Sequence, residues 1–232
     1  ASTPPPTPKC GVPEAASTAP EAVDNKYFVT EENVRLLGRT FYDEETNVRW
    51  LTYSASGVEF EVTGTSLDIV LYGDSGAVNS TTDNAARYAV YVDGERVVDE
   101  QMTVGAKTVN VFSGDEQRTA TVRLVKLSEV ASSLLGVKSI QVGKGTITPT
   151  ADSNYYVEFV GDSITCAYGV DDEDRDHHFS TKTEDATRAY AYKTAEKLDA
   201  DYSLVCYSGH GIISGYTGNP KEKNESSLVP PI

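Results

Sequence analysis

Cysteine, histidine and positive charge are scarce in this chain, and each scarcity excludes something. Three cysteines (Cys10, Cys166 and Cys206) in 232 residues are too few for a disulfide framework, and an odd number leaves at least one thiol unpaired in the monomer. Cys166 and Cys206 have no second cysteine close by, and the adjacent His177 and His178 cannot share one helical face, so zinc-ligand spacing is missing as well. A cysteine-based metal site is not expected. Lys and Arg total 20 against 35 Asp and Glu, a formal net charge of −15 that repels nucleic-acid phosphates and anionic lipid headgroups alike. No uninterrupted apolar run approaches the ~20 residues that span a bilayer, and Ala1 begins no charged segment leading into an apolar one. The expectation is a soluble chain whose partners include neither nucleic acid nor membrane.

Proline is concentrated rather than spread. Six of the ten prolines (Pro4, Pro5, Pro6, Pro8, Pro13, Pro20) fall in the first twenty residues among Ala, Ser and Thr. That composition favours extended polyproline II and cannot pack a core, so residues 1–24 read as a linker or tail. From residue 25 to 150 the pattern has period two. Val58, Phe60 and Val62 alternate with Glu59 and Glu61, and Leu67, Ile69 and Leu71 follow the same rule, as half-buried strands do. Tyr88 to Val92, then Asp93-Gly94, then Arg96 to Val98 reads as a tight hairpin, since Gly94 supplies the positive φ of a primed turn. Further short runs (Thr108 to Phe112, Ala120 to Leu127, Ser139 to Val142) are separated by Gly, Asp and Ser. Without a long amphipathic helix, this predicts a jelly-roll β-sandwich of about eight strands.

The pattern changes after Pro149. Tyr155 to Val160 is nearly continuous in apolar residues, broken only by Glu158, as expected of a strand covered on both faces in a parallel sheet. Thr181 to Glu184 fits a capping box opening a helix to about Leu198, with Ala186, Tyr190, Ala195 and Leu198 on its apolar stripe. Ser203 to Tyr207 reads as a second buried strand, so residues 151–232 begin an α/β/α unit. That stretch is shorter than the ~100–150 residues of a typical domain and ends in Val229-Pro230-Pro231-Ile232. The expectation is a multi-domain chain whose second domain is incomplete.

Gly161-Asp162-Ser163 lies where the first of these strands ends. In parallel α/β sheets the carboxyl ends of the strands face the ligand crevice, so Ser163 is placed as a nucleophile. If Ile164 to Tyr168 begins a helix, its N–H groups and partial positive charge stabilise an oxyanion there. The same tripeptide also fits a serine that merely caps a helix.

The string YVEFVGDSITCAYG, Tyr156 to Gly169, resembles the first signature block of the SGNH, or GDSL-type, hydrolases, and LVCYSGHGI, Leu204 to Ile212, resembles the second. Preceded by RWLTYSASGVEFEVTGTSLDIVLYGD, Arg49 to Asp74, the arrangement is most similar to carbohydrate esterase family 2. The resemblance implies a secreted serine esterase that removes O-acetyl groups from plant cell-wall polysaccharide such as acetyl xylan, with no cofactor. It assigns the nucleophile and one oxyanion N–H to Ser163. A second oxyanion N–H falls on Gly211, with Gly209 the lesser choice, and His210 on the pocket rim.

Two family features have no match. There is no Gly-x-Asn-Asp to supply the oxyanion asparagine, and no Asp-x-x-His near the carboxyl end to supply the general base. Asp174 and His177 have that spacing but lie in an acidic loop after the first block, where a solvated charge run is the simpler reading. This predicts a nearly inactive fragment whose missing His belongs to a remaining C-terminal segment of the same enzyme. One alternative is a non-catalytic carbohydrate-binding module that stacks sugars on Trp50, Tyr53, Tyr72 or Tyr91, against which stands their use in packing. Others are a Cys166 nucleophile with His177 or His178, without a basic neighbour to lower the thiol pKa, and a calcium loop at the acidic run, without the required ligand spacing.

Overall fold

The computed structural model describes residues 25–79 and 83–211; the tail expected at residues 1–24 and the last 21 positions lie outside the described residues. Ten strands form one hydrogen-bonded sheet: β1 (Lys26–Tyr27), β2 (Arg35–Leu37), β3 (Thr40–Asp43), β4 (Val48–Leu51), β5 (Gly57–Gly73), β6 (Arg87–Val92), β7 (Glu95–Gln101), β8 (Ala106–Lys126), β9 (Leu135–Gly143) and β10 (Thr146–Pro149). Its spine runs β3-β4-β9-β5-β8-β6-β7, with β1 on β9 and both β2 and β10 on β5. A one-turn helix, α1 (Ser75–Asn79), follows β5. Among the described residues no helix is long and apolar enough to cross a membrane.

The sheet has ten strands where about eight are expected: short strands such as β1, β2 and β10 add to the count, while two others are far longer than their sequence breaks suggest. Val58–Val62 and Leu67–Leu71 are one 17-residue strand, β5, whose register shifts between Gly64 and Ser66. Gly64 is there for close approach: a Cβ on it would sit 2.5 Å from Val142 Cγ1 and 2.9 Å from the Gly143 carbonyl oxygen. Likewise Gly114 and Asp115 do not end a strand; β8 runs through them for 21 residues. By bending, β5 and β8 contribute to both layers, and the inward side chains (Phe60, Leu67, Ile69, Tyr88, Leu124, Ile140) are fully buried between them. The Asp93-Gly94 hairpin forms as the sequence predicts, with φ of 51° and 86°.

A parallel pair follows, β11 (Tyr155–Gly161) with β12 (Ala200–Cys206), in register from Tyr155–Ala200 to Gly161–Cys206. Between them lie α2 (Ser163–Cys166) and α3 (Tyr190–Leu198). Two expectations fail here. The helix does not start at a capping box. Residues 181–183 and 186–188 are two 3-10 turns capped by Ser180 and Asp185, and the Glu184 carboxyl is drawn inward to the Glu129 N–H at 3.0 Å. With the helix starting at Tyr190, its buried side is Ala191, Tyr192 and Ala195, while Tyr190 and Leu198 are more than half exposed. Nor is β11 covered on both faces: Tyr155 and Tyr156 are 70% and 60% exposed, since among the described residues β11 pairs only with β12.

The parallel pair and α3 are joined to the outer face of the sandwich by a second apolar cluster, in which Ala89, Val125 and Leu127 meet Tyr192, Tyr202 and Leu204. Glu59, which the alternation places toward water, is 5% exposed for this reason. It accepts from Arg35 at 3.1 Å and Arg123 at 2.6 Å. Arg35 also pairs with Asp201 of β12, and Arg123 donates to the Tyr192 hydroxyl at 2.8 Å. A carboxylate buried at such a contact is tolerated because both of its oxygens are paired.

Candidate active site

Because β11 and β12 run parallel and in register, the turns leaving their carboxyl ends emerge at the same edge. The first carries Asp162 and Ser163; the second carries residues 207–211. Tyr207 N–H donates back to the Gly161 carbonyl at 3.2 Å, which holds the two turns side by side. Asp162, Ser163, Tyr168, Ser208, Gly209, His210 and Gly211 line one open cleft of about 640 Å3. The structure therefore brings Ser163, Gly211, Gly209 and His210 together.

The first turn is built by its backbone. Gly161 is obligatory, because a Cβ there would lie 2.0 Å from Thr165 Oγ1. Asp162, not Ser163, is the N-cap: its side chain accepts from Ile164 N–H at 3.0 Å, and its carbonyl takes the Thr165 and Cys166 N–H groups at 3.1 Å each. The helix-capping use of Ser163 is thus overturned. So is the expected helix charge, since α2 is a single turn of four residues and Asp162 has taken the N–H groups that follow Ser163. The Ser163 side chain is half-buried at the cleft wall, and among the described residues no hydrogen-bond partner holds its hydroxyl.

The second turn is held from several sides. His210 N–H donates to the Tyr207 carbonyl at 3.2 Å, and the two rings pack with centroids 4.1 Å apart. His210 Nδ1 lies 3.2 Å from the Ser208 carbonyl, an acceptor only, so the bond requires a proton on Nδ1. Gly209 has φ 79°, a left-handed conformation that glycine adopts freely. Ser208 N–H donates to Glu129 Oε2 at 2.7 Å.

The other candidates lie elsewhere. His177 is exposed, with Nδ1 2.8 Å from Asp172 Oδ1, and neither it nor His178 lines the Ser163 cleft. In the acidic loop Asp171 is spent on Arg87 and Arg188, and among the described residues no three His, Cys, Asp or Glu side chains converge as a metal site. Cys166 is fully buried. Its thiol pKa is raised, first by a hydrogen bond with Cys206 and then by burial, the opposite of what a thiolate nucleophile needs. Both thiols are free. Trp50, Tyr53, Tyr72 and Tyr91 are all half-buried; Trp50 packs over Gly136, and Tyr91 is stacked and hydrogen-bonded by Arg96.

Sequence reasoning missed Glu129. Its signal was a charged pair, Lys126 and Glu129, inside the apolar run LVKLSEV: charges in such a run are rarely buried without a purpose.

Residues 36–150 match the family model described as carbohydrate esterase 2 N-terminal. A cellulase/esterase of Acetivibrio thermocellus is 27% identical over 158 residues, covering 68% of this chain and 19% of that protein. An acetylxylan esterase / glucomannan deacetylase of Cellvibrio japonicus is 24% identical over 201 residues, 84% of this chain and 52% of that protein. Among solved structures, an acetyl xylan esterase from the rumen bacterium Butyrivibrio proteoclasticus superposes with a TM-score of 0.72 at 25% identity, covering 84% of this chain and 51% of that one. The chain spans about half the length of the last two relatives and less of the first. On that match the sandwich of this chain, residues 36–150, belongs to the carbohydrate esterase 2 N-terminal family.

Proposed function

We propose that this chain is the N-terminal part of a secreted serine esterase of the SGNH type. Its substrate class is O-acetylated plant cell-wall polysaccharide, acetyl xylan or a related hemicellulose. Residues 25–150 are its jelly-roll domain and residues 151–232 the start of its α/β/α hydrolase domain. Ser163 Oγ attacks the acetyl carbonyl carbon while a general base takes its proton. The tetrahedral oxyanion is met by the backbone N–H groups of Ser163 and Gly211, each such donor worth about 3 kcal/mol. Collapse expels the sugar oxygen, which takes the proton back, and water then releases acetate from the acyl-serine by the same steps in reverse order of roles.

One observation carries this reading: Asp162 caps the turn, so the Ser163 hydroxyl stands unclaimed in a cleft shared with Gly211. The acetylxylan esterases among the relatives supply the substrate class. The general base is assigned to a distal His on a further segment of the same enzyme, because His177 and His178 lie off the cleft and no hydrogen bond joins His210 to Ser163 among the described residues.

The test is acetate release from acetylated xylan and from a chromogenic acetate. The 232-residue chain should turn over at least about a thousandfold more slowly than a longer polypeptide read through the downstream frame, as removal of a triad His does. Ser163→Ala should abolish both the longer protein's activity and labelling by a fluorophosphonate. Full turnover by the short chain would remove the need for a distal base; undiminished labelling of Ser163→Ala would overturn the nucleophile.

A further inference from the structure

The two turns of the cleft are held by the sandwich as well as by each other. Beyond the end of β8 the chain enters a buried polar cluster. Lys126, fully buried, donates from Nζ to the Ser128 and Glu129 carbonyls, the latter at 2.8 Å. The Glu129 N–H donates to Glu184 Oε2 at 3.0 Å. Glu129 itself is 2% exposed, so its backbone is clamped on both sides and its side chain has little freedom. That side chain reaches out of the sandwich into the parallel segment, where one oxygen, Oε2, accepts from Ser208 N–H at 2.7 Å and from Cys166 Sγ at 3.5 Å. Ser208 begins the turn that carries Gly209, His210 and Gly211. Cys166 ends the single helical turn that Ser163 begins. A single carboxyl oxygen of the first domain therefore touches the supports of both halves of the cleft.

We infer that Glu129 is a positioning residue: through Ser208 N–H and Cys166 it fixes the 207–211 turn against the Ser163 turn, so that the sandwich sets the geometry of the oxyanion site. Its functional meaning rests on the reading of Ser163 as nucleophile; the tether itself does not. The bond to Ser208 is short and partly buried, and an N–H shielded from water that loses its acceptor is disfavoured. Its removal should therefore release the 207–211 turn locally instead of loosening the whole fold.

Glu129→Ala and Glu129→Gln in this chain decide the matter by amide hydrogen exchange and by the rate of Ser163 phosphonylation. In Glu129→Ala, exchange over residues 207–211 should rise about tenfold, the loss of one hydrogen bond of ordinary strength, while peptides from β5 and β9 stay within about twofold. The maximal labelling rate should fall by about tenfold with the half-saturating probe concentration unchanged. Glu129→Gln keeps a neutral acceptor oxygen and should recover most of both. Wild-type exchange at 207–211 in Glu129→Ala, or acceleration spread evenly over the chain, overturns the inference. If Glu129→Ala does not fold, Glu129→Gln decides: a weaker acceptor should raise exchange about threefold at 207–211 alone, and no local rise overturns it. Absence of labelling even in the unaltered chain would follow from the missing general base, and exchange then decides the tether.

Discussion

The sandwich and the parallel segment bury their apolar residues in different ways. The sandwich folds onto itself: β5 and β8 bend through both layers, and Phe60, Tyr88 and Ile140 have no exposed surface. Among the described residues the parallel segment has no such interior. Its strand β11 leaves Tyr155, Tyr156 and Val160 more than half exposed, α2 leaves Ile164 72% exposed, and the apolar residues it does bury lie largely against Ala55, Ala89, Val125 and Leu127 of the sandwich. The first region carries its own stability; the second borrows from it. The cleft sits on the dependent region, and its turns are supported from the independent one through Glu129.

The strongest way to break this comparison is to damage the sandwich core and watch the other region. Phe60→Ala should cost about 3–5 kcal/mol, the loss of a fully buried aromatic side chain plus the cavity it leaves. If the parallel segment is dependent, peptides from β11 and β12 lose exchange protection together with those of β5 and β8 as urea is raised. Protection surviving in β11 and β12 after the sandwich has opened would show the segment to be self-supporting.

The layer between the regions should respond to pH. Burial, above all, pushes the Glu184 carboxyl up to about 8 and the Lys126 ammonium down to about 8; Glu129 and Cys166 face them in the same cluster. Between about pH 4.5 and 8 the folded chain holds a Glu184 proton that the unfolded chain has released, so unfolding releases a proton and stability falls as pH rises. Between about pH 8 and 10.5 the folded Lys126 is neutral while the unfolded one is charged, so unfolding takes up a proton and stability recovers. The fall should be on the order of a few kcal/mol, and urea titrations from pH 5 to 10 would measure it. Glu184→Gln should flatten the lower window and keep the rise in the upper one. A wild-type curve without the fall would deny that Glu184 is held protonated.

What could be read from sequence was what neighbouring residues decide. The Asp93-Gly94 hairpin was legible because its positive φ values belong to two adjacent residues, and the Gly161-Asp162-Ser163 turn because it follows an apolar strand at once. The lengths of β5 and β8 were not: Gly64 looks like a break until Val142 is known to crowd it, and Gly114 sits in a stretch of β8 whose exposed residues carry no apolar signal. The helix start failed because Glu184 answers to Glu129, 55 positions away, and not to its own turn. Glu129 carried only the signal of a charge in an apolar run and none of its role, since its partner Ser208 lies 79 positions on. Local rules located the Ser163 turn; only the folded contact between regions shows what touches it from the sandwich.

The smallest expected effect is confined to the dependent region. Gly161→Ala would place a methyl group 2.0 Å from Thr165 Oγ1 and 2.8 Å from Thr165 Cβ, so α2 must shift, at a cost of about 1–3 kcal/mol typical of overpacking. That shift moves Ser163, because both residues belong to the same single turn, and labelling of Ser163 should slow by about tenfold or more while exchange in β5 and β9 stays unchanged. Thr165→Ala in the same chain removes the hydroxyl and the γ-methyl but keeps the Cβ, and so should restore only part of the rate. Full restoration would mean that the hydroxyl contact alone sets the turn; no restoration would mean that the glycine is required for its backbone rather than for the space it leaves to Thr165. The sandwich, none of whose atoms a methyl group at Gly161 would crowd, should melt identically in all three proteins, and that indifference is the sharpest form of the asymmetry between the two regions.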